Sequence, residues 1–183
     1  LMKPIVDKFE EQKIHKIYLL SKFGSNNVIF LAEKLHKQVI CGWSINLPEV
    51  AKRWETNASP PEDRLHAATL VSNTGYDTRV RIDPVFPIND WKIKYSNLID
   101  QILSAFTPSR IILGTPRGLW KTIQYAKEAQ VNMEWAQFFA EDSSWGKKLR
   151  FEQRKEIYEF FFAKLETAGY PLTSVSICKE TLG

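Results

Sequence analysis

Five short runs place cations, hydroxyls and carboxylates just past stretches rich in β-branched and aromatic residues: Ser21-Lys22, Ser44 with Asn46, Arg81 with Asp83, Thr115 with Arg117, and Lys179-Glu180. In a parallel α/β sheet the ligand sits at the C-terminal ends of the strands, so polar residues recurring there form one set. Lysine and arginine beside hydroxyls suit a carboxylate or phosphate held by charge-assisted hydrogen bonds. Lys22 reads equally as a solvated loop lysine or as an anion-binding group, and Ser44 as a satisfied core serine or a ligand holder. Gly42 and Ser44 lie two residues apart and so share a strand face, where a small pair leaves room for a ligand.

Arg79, Arg81 and Asp83 alternate with Val80 and Ile82, which puts all three charges on one face of a strand. Both faces are buried in a parallel barrel, so inward charges cost several kcal/mol unless paired or met by ligand. This favours an ion-pair or functional role for Arg81 and Asp83. A second basic region runs over 145–155, where Lys147, Lys148, Arg150, Arg154 and Lys155 interleave with Trp145 and Phe151. The combination suits a phosphate backbone plus stacking on unpaired bases, and equally the wet face of an ordinary helix. His15, His36 and His66 read as structural or solvent-facing. HExxH, GxSxG, Walker and GxGxxG patterns do not occur.

These residues need a frame. Strand patterns fall at 14–20, 38–45, 78–85, 110–115 and 174–178. Helix patterns fall at 28–35, capped by Asn26 or Asn27, at 48–54 with Pro48 leading, and from Ser59, whose hydroxyl stands three residues before Glu62 as in a capping box, to about 73. Further helices are expected over 90–106 from Asp90, 119–129 and 151–168, ending at Gly169, with an irregular aromatic stretch at 133–148. Helices between strands at crossover spacing imply a mainly parallel sheet with flanking helices. Five strands are too few for a closed eight-stranded barrel of roughly 250 residues. The fold class is therefore α/β, a partial (β/α) barrel in one domain over 1–183, and its opening in helix without a preceding strand suggests the C-terminal half of a larger barrel.

At 183 residues and 44% apolar the chain can bury a core without staples or metals. Its charge of +4, from 25 basic and 21 acidic residues, leans mildly toward an anionic partner. It has no apolar run of membrane-spanning length and no signal-peptide pattern, so a cytoplasmic protein is expected. Cys41 and Cys178, far apart in sequence, make no disulfide framework, and two cysteines cannot alone hold a zinc ion or an iron–sulfur cluster.

Four stretches in order resemble spore photoproduct lyase and its radical S-adenosylmethionine relatives. They are Ile17-Tyr18-Leu19-Leu20-Ser21-Lys22-Phe23, Gly42-Trp43-Ser44-Ile45-Asn46, the run 75–87 around Arg79-Val80-Arg81-Ile82-Asp83-Pro84, and Ile112-Leu113-Gly114-Thr115 with the later Lys148-Leu149-Arg150-Phe151. Ser59-Pro60-Pro61-Glu62-Asp63-Arg64 is similar to a serine, proline and arginine turn of that family. The resemblance implies that Lys22 and Ser44 hold the amino-acid end of S-adenosylmethionine, with the region of Asp83-Pro84 near its adenosine part and Arg81 and Asp83 counted among the cofactor-binding residues. It implies that Lys147, Lys148, Arg150 and Phe151 face damaged DNA. In such enzymes a [4Fe-4S] cluster cleaves the cofactor to a radical that reverts a thymine lesion.

The family's CxxxCxxC cluster motif does not occur in this chain, and neither Cys41 nor Cys178 matches its hydrogen-returning cysteine. The cluster and cofactor are thus expected of a full-length parent, with no metal ligand and no assigned catalytic residue in this chain, which alone should not make the radical. Partners implied are DNA, the missing N-terminal half or a split partner, and a second copy joined through exposed sheet edges. Two other readings are open: a cluster-free nucleic-acid-binding module, and part of a radical enzyme acting on a non-DNA substrate.

Overall fold

The computed structural model describes residues 2–178. Helix α1 (Met2–Glu10) buries Val6 and leads to strand β1 (Ile17–Ser21). A 3-10 turn at Ser25–Asn27 and short helix α2 (Ile29–Glu33) follow. Then come β2 (Val39–Ser44), α3 (Pro48–Trp54), α4 (Pro61–Asn73), β3 (Asp77–Ile82), α5 (Trp91–Ala105) and β4 (Arg110–Leu113). Small strand β5 (Arg117–Leu119) precedes α6 (Trp120–Glu128), and β6 (Glu141–Ser143) and β7 (Gly146–Lys148) form a hairpin before α7 (Phe151–Thr167) and β8 (Val175–Ile177).

Five strands lie in the order β1-β2-β3-β4-β8, every neighbouring pair parallel, as the helix-separated strands imply. The expected partial barrel with flanking helices is therefore present. Register divides the sheet into two faces. Trp43, Val80, Ile82, Ile111 and Leu113 are buried and form the core. The other face carries Leu20, Gly42, Arg79 and Arg110 in one row and Ser44, Arg81, Ile112 and Ser176 in the next. This face is open: β3 alternates buried Thr78, Val80 and Ile82 with half-exposed Asp77, Arg79 and Arg81.

A second, antiparallel sheet, β5-β7-β6, takes two of its strands, β6 and β7, from the stretch expected to be irregular and the third from just before α6. Its strands are three residues each, too short for an alternating pattern to register in sequence. Helix starts also differ from expectation. Asn26 and Asn27 do not cap α2; they sit in the 3-10 turn, which Asp63 anchors by accepting bonds from Ser25 N (3.0 Å) and Oγ (2.7 Å). Ser59 forms no capping box, because its hydroxyl accepts from Gly24 N at 2.8 Å and α4 starts on Pro60 and Pro61 instead. Asp90 stands before α5 at φ 57° without a side-chain cap.

Helix α7 ends as its sequence dictates. Gly169 takes φ 73°, the bond from Tyr170 N to Leu165 O (2.9 Å) closes the last turn, and Tyr170 buries its ring while its hydroxyl donates to Pro108 O. Among the described residues no helix is long and apolar enough to cross a membrane.

Candidate functional site at the strand tips

Ser21 pairs with Trp43 in the last rung of β1 and β2, so Lys22 and Ser44 follow at adjacent strand tips. The Lys22 ammonium forms an ion pair with Glu55 Oε1 at 2.8 Å. Glu55, just past α3, is 8% exposed, and its other oxygen meets Arg64 Nη2 at 2.5 Å. Arg64 lies on α4 and is 1% exposed; it also donates to Ser59 O (2.6 Å) and to Ser44 O (3.1 Å). One buried carboxylate thus joins the lysine at one tip to the backbone of the serine at the next. Lys22 itself stays 42% exposed, with ammonium donors left for a ligand. Sequence reading did not single out Glu55: a lone acid after Lys52-Arg53-Trp54 carries no spacing signal.

Arg81 and Asp83 form an ion pair at 2.5 Å on the open face, and Arg81 Nη2 also reaches Cys178 Sγ at 2.7 Å. Burial and the Asp83 carboxylate push the Cys178 thiol upward. Arg117 Nη2 donates to Cys178 O, which ties the start of the small sheet to the end of β8. The peptide Asp83–Pro84 is cis, and Gly114 beside it leaves space that the Asp83 carboxylate fills. Deeper in the face Arg79 grips Asp77 with two nitrogens (3.1 and 2.9 Å), which holds the Asp77 carboxyl below its ordinary range. Arg79 also stands 5.7 Å from the Tyr18 ring. The charges expected to be buried inside a barrel thus lie half-exposed on an open face, each paired with a neighbour on its own strand or just past it.

Asn46 is fully engaged, donating to Pro84 O and accepting from Leu47 N and Tyr95 Oη. His36 is buried, consistent with a structural role. Lys179 and Glu180 lie outside the described residues.

The predicted nucleic-acid residues gather on and beside the small sheet. Lys147 pairs with Asp142 (2.8 Å) and stands over the Trp120 ring at 5.8 Å. Lys148, on the opposite side of β7, pairs in register with Arg117 and Glu141. Arg150 and Phe151 are exposed at the start of α7, and Trp145 at the hairpin turn is 79% exposed. Arg154 differs from the rest of the basic run: it is buried, donating to Leu149 O and facing Glu141.

The residues at the strand tips supply the donor set that the amino-acid end of S-adenosylmethionine takes: a partly exposed ammonium at Lys22 and, at the next tip, the hydroxyl of Ser44, a residue only 5% exposed. They do not fit an iron–sulfur cluster, because among the described residues no three His, Cys, Asp or Glu side chains are grouped to hold a metal.

Residues 1–112 match the family model described as spore photoproduct lyase. A spore photoproduct lyase of Clostridium acetobutylicum is 29% identical over 98 residues, covering 54% of this chain and 29% of its own. One from Bacillus subtilis is 26% identical over 105 residues, covering 57% and 30%. A solved spore photoproduct lyase complexed with dinucleoside spore photoproduct superposes with a TM-score of 0.75 at 17% identity, over 96% of this chain and 54% of that one. SuiB of Streptococcus suis superposes at 0.59 and 12% identity, over 98% of this chain and 36% of that one. The chain thus spans about half the length of the solved lyase and under a third of the curated relatives. On the match of its first 112 residues, the chain belongs to the spore photoproduct lyase family.

Proposed function

We propose that this chain is the C-terminal part of a radical S-adenosylmethionine enzyme that repairs a thymine lesion in DNA, with the cluster ligands supplied outside it. Lys22 holds the cofactor carboxylate and Ser44 hydrogen-bonds the same end, while Arg81 and Asp83 border the adenosine side. Lys147, Lys148, Arg150 and Phe151 carry the nucleic acid. The observation that carries this reading is the juxtaposition of Lys22 and Ser44 at neighbouring parallel tips, on a sheet of the family's fold. The bound cofactors supply hydrogen-atom abstraction from the lesion; the residues of this chain bind and orient.

The lyases of known structure support the reading, since one is solved with bound AdoMet and dinucleoside spore photoproduct. The free edge of β1, wrapped by a groove of about 610 Å³ that reaches Lys22 and Phe23, suits the remaining barrel strands or, in their absence, a second copy. The test is reconstitution of the full-length protein with iron and sulfide and assay on lesion-containing DNA. Restored thymines with the wild type and loss of turnover with Lys22→Ala are expected. Cofactor binding unchanged by Lys22→Ala overturns the assignment.

A further inference from the structure

Glu55 is positioned to do more than neutralise a buried arginine. It is the single acid shared by Lys22 and Arg64, and Arg64 in turn holds Ser44 O and Ser59 O. Ser59 N donates to Lys22 O at 3.0 Å, so backbone and side chain of Lys22 are both fixed from the turn into α4. We propose that Glu55 is a positioning residue for cofactor binding: it aims the Lys22 ammonium and sets its spacing from Ser44. This deepens, and rests on, the reading of Lys22 and Ser44 as cofactor holders.

The chemistry favours aiming over neutralisation. A lysine on a four-carbon stem has many rotamers, and one short bond to a buried acceptor selects among them. An ammonium has three donors, so the bond to Glu55 leaves others for a ligand carboxylate. Lys22, Arg64 and Glu55 together carry one net positive charge, the complement of one carboxylate. The exposures follow the same order: the aiming acid and its anchor are buried, and the ligand-facing lysine is not.

The experiment is calorimetric titration of the assembled holoprotein with S-adenosylmethionine, comparing Glu55→Gln, Lys22→Ala and the double variant. Glu55→Gln is expected to weaken binding about tenfold, the low end of what loss of a ligand-orienting partner does at metal sites. Lys22→Ala is expected to weaken it at least as much, and the double variant to bind like Lys22→Ala alone, because Glu55 acts through the lysine. Since Glu55→Gln strands the Arg64 charge, Glu55→Gln/Arg64→Met, which removes both buried charges, is titrated beside it with folding checked by thermal melting. The same loss in that folded variant supports the proposal. Wild-type affinity in the folded Glu55 variants, or losses that multiply in the double variant, overturns it while leaving the role of Lys22 intact. Wild-type affinity in Lys22→Ala, or no uptake by the wild type, overturns the underlying reading as well.

Discussion

Tyr18 lies across Gly42 on the neighbouring strand, and its ring fills the volume that a side chain at 42 would occupy. The glycine therefore makes room for the chain's own tyrosine, which in turn stacks near Arg79. Tyr18 is 40% exposed and can swing outward. Gly42→Ala is expected to cost about 1 kcal/mol by urea denaturation, at the low end for overpacking. In a Tyr18→Ala background the same change should be neutral or stabilising, since a strand prefers alanine to glycine once the clash is gone. An equal cost in both backgrounds would contradict the packing.

Arg64 and Lys22 share one carboxylate but should differ sharply in worth. Arg64→Ala leaves Glu55 buried with only a half-exposed lysine for company and is expected to cost about 3–5 kcal/mol. Lys22→Ala removes a solvent-screened partner and is expected to cost under about 1 kcal/mol. Denaturation midpoints of the two variants decide the matter.

Acid stability should depend on Asp63 and Asp77. Bonds from the Ser25 backbone and hydroxyl lower the Asp63 carboxyl, and the Arg79 guanidinium lowers that of Asp77. A depressed folded-state value means the stability is present above the unfolded value near about 3.9 and fades as pH falls through the folded one. Asp63→Asn/Asp77→Asn should flatten the loss of stability below about pH 4 and lower stability at pH 7. Parallel wild-type and variant curves across that window would refute it.

Much of the frame was legible because parallel strands announce themselves: β2 is apolar up to its last residue, Ser44, and β3 alternates its charges with Val80 and Ile82. The pairing of Lys22 with Ser44 was implied by the family resemblance, and the parallel register of β1 and β2 puts their tips side by side. Other features depended on distant atoms. Ser59 had the spacing of a capping box, yet its hydroxyl is used by Gly24, 35 residues earlier. Gly42 suggested space for a ligand, and a side chain from the next strand takes it. Glu55 became visible only when α3, α4 and β1 were brought together, since nothing in its neighbours along the chain marks it.

The two thiols should react differently. Cys41 is 1% exposed, and desolvation pushes its thiol up to about 12. Cys178 is half-buried on the open face. Iodoacetamide at pH 8.5 should label Cys178 in the native protein and Cys41 only in denaturant, as read by peptide mass spectrometry. Native labelling of Cys41 would show that the β2 core opens readily.

The basic hairpin permits a graded prediction for nucleic acid. Lys147 is already paired with Asp142 and stands over Trp120, so Lys147→Ala should weaken DNA binding less than the loss of Lys148 or Arg150. Arg150 stands exposed at the head of α7, where the residues that follow in the first turn include Glu152. Arg150→Ala and Lys148→Ala should each reduce the slope of log affinity against log salt by about 1, the signature of one lost phosphate contact. Trp145, exposed at the turn, offers a stacking face with no charge. Trp145→Ala should therefore weaken binding by about 1–3 kcal/mol while leaving the salt slope unchanged. Fluorescence anisotropy over a series of salt concentrations separates the two effects. A slope that stays constant in the Lys148 and Arg150 variants would place the phosphates elsewhere on the molecule.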